Sequence, residues 1–84
     1  MNISQDNLDE FYRKVAENVQ RKRIDHGKSQ RDIAYEALGL DRDNFVSKLE
    51  NNAEGKHFNL TQLFKIAKYL KCDIKDFFRG INNE

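Results

Sequence analysis

Phe11, Val15 and Val19 recur every four residues, and that spacing predicts one apolar stripe on a first helix that starts near Asp6 or Asp9 and runs to Asp25. Asp6, Asp9 and Glu10 favour the positive end of its dipole, and Gly27 is the natural stop. Residues 1–5 are expected to fray. Ser29 is a good N-cap, with Asp32 as a capping-box partner, for a short helix from Gln30 to Ala37 or Leu38 whose apolar face is Ile33, Ala34 and Ala37. Gly39 ends it, Leu40 packs inward, and Asp41 caps a third helix from Arg42 to Glu50 with Val46 and Leu49 on one side and Phe45 beside them. Asn51 to Phe58 has no periodicity and reads as a loop. Asn59 caps a fourth helix through Leu70, with Leu60, Leu63, Phe64, Ala67 and Leu70 inward. Asp73 caps a short fifth, with Ile74, Phe77 and Phe78 apolar and Gly80 as its stop. The expectation is an all-α fold, a compact five-helix bundle forming a single domain over residues 1–84.

Composition narrows the function classes. Proline is absent, so no position is barred from a helix. A single cysteine excludes an intramolecular disulfide and a four-thiolate zinc site. No apolar run approaches the roughly 18 residues of a membrane span. The first ten residues hold three acidic and no basic side chains, unlike a signal peptide, so a cytoplasmic protein without membrane contact is expected. His26, His57 and Cys72 do not have the spacing of a metal motif. Ser4, Ser29 and Ser47 lack a Gly-rich nucleophile turn, and no phosphate-cradling loop is present. Neither enzymatic activity nor a cofactor or small-molecule effector is expected.

The net charge of +1 hides segregation. Residues 11–31 carry seven basic and two acidic side chains, whereas residues 32–50 carry two basic and five acidic. A basic segment can attract a polyanion even in a nearly neutral chain.

Two short helices joined by a Gly-containing turn, over residues 29–51, form a helix-turn-helix pattern whose second helix fits a DNA major groove. With Val46 and Leu49 inward, Asn44, Ser47 and Asn51 turn outward, flanked by Asp43 and Lys48. Amide and ammonium groups match adenine and guanine edges.

The segments VQRKRIDHGKSQRDIA, GLDRDNFVSKLEN and NLTQLFKIAKYLKCDIKDFF resemble the Cro and phage-repressor (XRE-type) family of helix-turn-helix proteins over about Val15 to Phe78. Arg23, Ser29-Gln30, Ile33-Ala34, Gly39 and Leu49-Glu50-Asn51 carry the likeness. The resemblance implies a lambda-repressor-like fold and a dimer on two-fold double-stranded DNA. It implies base reading by Asp43, Asn44, Ser47 and Lys48. It implies phosphate contacts from Arg23, Gln30, Arg31, Arg42, Asn51, Asn52 and Lys56, with His57 an open candidate. It also implies an ion pair between Arg23 and Glu50, and places Cys72 at an apolar core position.

The chain departs from the family spacing by two extra residues between Ala34 and Glu50, one on each side of Gly39. Either Val46 or Phe45 can then face inward. The near-neutral total charge and Asp43 on the reading face leave a second class open, a protein-interaction module such as an antitoxin or phage adaptor that grips a basic partner with the acidic residues of 32–50 and the N-terminal extension. Phe77, Phe78 and Ile81 can serve as core or as a dimer patch.

Overall fold

A computed structural model describes residues 3–42 and 44–81. These residues are mostly helical, with no strand among them. Four α-helices are present: α1 (Gln5–Asp25), α2 (Gln30–Asp32), α3 (Phe45–Glu50) and α4 (Leu60–Leu70). The expected fifth is a 3-10 segment, Ile74–Phe78, capped by Asp73 through the Lys75 amide. The tighter 3-10 bonding is the form that short terminal pieces commonly take.

Fraying over residues 1–5 does not extend to Ser4 and Gln5, since Ser4 caps α1 by accepting from the Asn7 amide; Met1 and Asn2 lie outside the described residues. At the other end of α1, the Lys28 amide donates to the Arg23 carbonyl (3.0 Å) and the Gly27 amide to the Ile24 carbonyl (2.9 Å). This Schellman closure requires a left-handed residue, supplied by Gly27 at φ 67°.

The capping box at α2 is reciprocal: the Asp32 amide donates to Ser29 Oγ (3.0 Å) and the Ser29 amide to Asp32 Oδ2 (2.9 Å). Beyond one turn, α2 widens into a π-helical segment, Ile33–Ala37. The Leu38 amide reaches the Ile33 carbonyl (3.0 Å), and the Leu40 amide closes on the Ala34 carbonyl (2.8 Å) past Gly39. A π turn holds one more residue than an α turn over the same rise.

The third helix starts at Phe45 rather than Arg42, with Asn44 rather than Asp41 in the cap position. Val46 is fully buried and Phe45 half-buried, so Val46 is the inward residue. Glu54 is left-handed inside the 3-10 turn Ala53–Gly55 that follows.

On α4 the inward face is Leu63, Ile66, Ala67 and Leu70. Leu60 and Phe64, expected inward, are 71% and 56% exposed. Apolar residues cover more than half of this helix's circumference, and the pattern alone permits two overlapping stripes. Phe58 decides between them. It is buried one residue before the Asn59 cap, in the same cluster as Leu63 four residues into the helix. That is a hydrophobic staple, and it rotates Leu60 and Phe64 out of the core.

The core joins Val15, Ala16 and Val19 of α1 to Ile33, Ala34, Val46, Leu49, Phe58, the α4 face and Phe77. Asn18 is buried against the chain end and donates to the carbonyls of Phe77 (3.0 Å) and Arg79 (2.9 Å). Phe77 is core, while Phe78 and Ile81 are half-buried against it. Cys72 is half-buried rather than enclosed, and desolvation raises its thiol pKa above the ordinary value. No helix of the described residues is long and apolar enough to cross a membrane.

Candidate functional site

The third helix has six residues, fewer than two turns, and cannot hold its own orientation by backbone bonding alone. Packing and one polar cluster fix it instead. Val46 and Leu49 enter the core, and the next residue, Glu50, reaches Arg23 on α1. Arg23 Nε donates to Glu50 Oε2 (2.8 Å) and its Nη2 to Oε1 (3.1 Å), the bidentate fork that matches a carboxylate. Arg23 Nη1 donates to the Lys28 carbonyl (2.9 Å), and Gln30 Nε2 donates to Glu50 Oε1 (2.9 Å). The Glu50 side chain is 1% exposed and that of Arg23 11%. One carboxylate thus fastens α3 to both α1 and the start of α2.

The opposite face of α3 carries Asn44, Ser47, Lys48 and Asn51, set away from Val46 and Leu49 by the helical period. Asn44 and Asn51 are exposed. Asn51 Nδ2 donates weakly to Ser47 Oγ at 3.4 Å. Lys48 Nζ lies 3.9 Å from Glu54 Oε2, with both side chains well exposed. Such a surface pair is worth well under about 1 kcal/mol and releases its ammonium easily. Asp43 lies outside the described residues.

The residues expected at phosphates divide into two groups. Arg31, Arg42 and Lys56 are exposed, with the Arg31 guanidinium 5.2 Å from the Tyr35 ring centroid. Arg23, Gln30 and Asn52 are engaged within the chain. Arg23 and Gln30 serve Glu50, as above. Asn52 sits in the left-handed region (φ 52°) and donates to the carbonyls of Leu49 (3.3 Å) and Lys56 (3.2 Å), so it shapes the turn after α3.

Tyr12 was not among the residues singled out for binding, yet its ring stacks on His57 at 3.7 Å between centroids and 7° between planes. The pair walls a cleft of about 280 Å³ with Asp9, Asn52, Gly55 and Lys56. A lone Tyr on α1 and a lone His in a loop 45 residues later give no local spacing signal, because the contact is tertiary.

Two polar contacts close the base of the helix pair. The Tyr69 hydroxyl donates to Glu36 Oε1 (2.7 Å), which holds the phenol above its ordinary pKa. Lys28 lies 5.2 Å from the Tyr69 ring centroid. Asp32 is held below the ordinary carboxylate range, first by the Ser29 amide and then by the Ser29 hydroxyl. Among the described residues no group of three or more His, Cys, Asp or Glu side chains is placed to hold a metal ion. No protein-family model matches the chain, and no curated protein or solved structure matches it.

Proposed function

We propose that this chain is a sequence-specific DNA-binding transcriptional regulator, a repressor acting as a homodimer on a palindromic operator. The observation that carries the reading is a six-residue helix fastened at its base by Glu50 to Arg23 and Gln30, with Asn44, Ser47, Lys48 and Asn51 turned away from the core. On this reading residues 29–51 are a helix-turn-helix in a lambda-repressor-like domain, as the likeness to Cro and phage repressors implies. The extra residue before Gly39 falls at the π turn, which supplies a place for it without moving α3 off its base.

Asn44, Ser47 and Lys48 read base edges, with Asp43 as a fourth reader. Arg31, Arg42, Asn51 and Lys56 hold phosphates. Of the acidic residues of segment 32–50, Asp32 is engaged in the capping box, Glu36 by Tyr69 and Glu50 by Arg23. Asp41 is exposed and is the observation that favours the rival reading of an acidic docking surface.

The test is selection of bound duplexes from a random pool at two salt concentrations. The expected result is a palindrome with half-sites about 34 Å apart. Three exposed cations per protomer should give a slope near about −5 in log affinity against log salt for the dimer. Lys48→Ala should relax preference at one base position at a cost of about 1–3 kcal/mol. A pool with no enriched sequence refutes the function, and a uniform loss across all sequences makes Lys48 a phosphate contact.

A further inference from the structure

The apolar stripe of α1 runs one turn past the core it serves. Leu8 continues the spacing of Phe11, Val15 and Val19, yet residues 3–10 are all exposed, with Leu8 at 40% and Ile3 at 68%. This arm carries Asp6, Asp9 and Glu10 and no basic residue. A protruding helical turn gains little stability from its own hydrogen bonds.

A surface of opposite character lies on α4. Leu60, Phe64 and Lys68 form one exposed row at i, i+4 and i+8, with Lys71 beside it. Lys68 Nζ lies over the Phe64 ring at 5.6 Å. Among the described residues neither Lys68 nor Lys71 has an ion-pair partner, and Asp6 has none either. The row spans about 16 Å and the arm about 12 Å. Leu60, the first residue of the row, lines an apolar groove of about 300 Å³ with Phe11, Tyr12, Leu63 and Phe78, and Phe11 directly follows the arm in the chain.

We propose that the acidic arm of one copy docks on the α4 row of a second copy, and reciprocally, so that a two-fold axis passes beside the groove. The inference rests on the homodimer of the proposed function and assigns its interface. Charge selects this arrangement. Packing α4 against α4 would oppose Lys68 and Lys71 to their own counterparts, whereas arm on α4 sets Asp6 and Asp9 against them. Leu8 and Ile3 then cover Leu60 and Phe64. Two reciprocal contacts allow the pair to approach the roughly 800 Å² per partner of a specific interface.

The experiment is sedimentation equilibrium of the full chain without DNA, with circular dichroism to establish that each variant is folded. The wild type should dimerise, more weakly as salt screens the pairs. Asp6→Lys/Asp9→Lys and Lys68→Glu/Lys71→Glu should each weaken the dimer by about tenfold, which is about 1.4 kcal/mol. Mixing the two reversed chains should restore a heterodimer, because each supplies what the other lost. Phe64→Ser, at an exposed position, should leave the fold intact and the chain monomeric. A wild type that stays monomeric, a dimer indifferent to all these changes, or a mixture that fails to pair overturns the interface. DNA selection reads separately: a palindrome selected by a protein whose arm variants dimerise normally rejects the interface and keeps the function. A charge-swapped heterodimer with no enriched sequence keeps the interface and rejects the function.

Discussion

Replacing Glu50 by alanine should be the most damaging single change at the candidate site. It removes both carboxylate oxygens that receive Arg23 and the one that receives Gln30. Gln30 is half-buried and can turn to water. Arg23 is buried and keeps only the Lys28 carbonyl. Leaving a buried charge without its partner costs about 3–5 kcal/mol, more than the pair contributes over an apolar replacement. A chain of 84 residues has a total stability of about 4–12 kcal/mol, so the variant approaches the unfolding threshold. At about 4–8 °C per kcal/mol for this size, the melting temperature should fall by about 12 °C or more. Thermal unfolding followed by circular dichroism at 222 nm, a standard helix signal, reads this directly. The double variant Arg23→Met/Glu50→Leu should recover most of the loss, because it removes the stranded charge along with its partner. A Glu50→Ala melt within about 3 °C of wild type, or a double variant no more stable than the single, would refute the account of the cluster.

Three further outcomes are expected. Asn18→Ala strands the carbonyls of Phe77 and Arg79 and should cost about 1–3 kcal/mol, with hydrogen exchange accelerating first over residues 77–81; uniform acceleration would make Asn18 a global rather than a local tie. Ser29→Ala removes the acceptor for the Asp32 amide and should cost about 1 kcal/mol. The Asp32 carboxyl is lowered in the folded state, so its stabilisation is complete above its unfolded value near about pH 4 and is lost as pH falls through the folded value. Ser29→Ala keeps the amide that lowers Asp32 most and removes only the hydroxyl's smaller share, so its penalty should shrink only slightly in acid, and a penalty independent of pH would separate the hydroxyl from the carboxyl. Cys72, its thiol raised by desolvation, should react with a disulfide reagent at pH 7 more slowly than in urea; equal rates would place it on the surface.

How far the sequence foretold the structure depends on whether a signal is local. Caps and stops are local, and Ser29, Asn59, Asp73 and the Gly27 turn stand where their chemistry requires. On α3 the pattern placed Leu49 inward and left Val46 and Phe45 as alternatives beside it; packing buries Val46 fully and Phe45 only in part. On α4 the sequence offers two stripes, and only the staple from Phe58 distinguishes them. The π turn leaves no local mark, because its i→i+5 bonding uses ordinary helix formers; the sole hint is a spacing one residue too long before Gly39. The Arg23–Glu50 pair was expected from the resemblance alone, since nothing in local spacing joins residues 27 positions apart. That Gln30 and Asn52 are engaged within the chain was likewise not legible, because an amide serves a phosphate or a neighbouring group equally well.

On the proposed DNA-binding function, the position of Glu50 decides how losses of binding must be read. It stands between Leu49 in the core and Asn51 on the outer face, and it is the link between α3 and the rest of the fold. A change at Glu50 should weaken binding through the population of docked α3, so the defect should ease on cooling toward the temperature of greatest stability and leave base preference unchanged. A change at Asn44 or Lys48 touches no core residue and should alter preference at every temperature while sparing the melting curve. The two classes separate on one plot of base preference against melting temperature, with Glu50 variants displaced along the stability axis and Asn44 and Lys48 variants along the other. If Lys48→Ala moved along the stability axis instead, its contact with Glu54 would be structural. The base readers would then shrink to Asn44, Ser47 and Asp43.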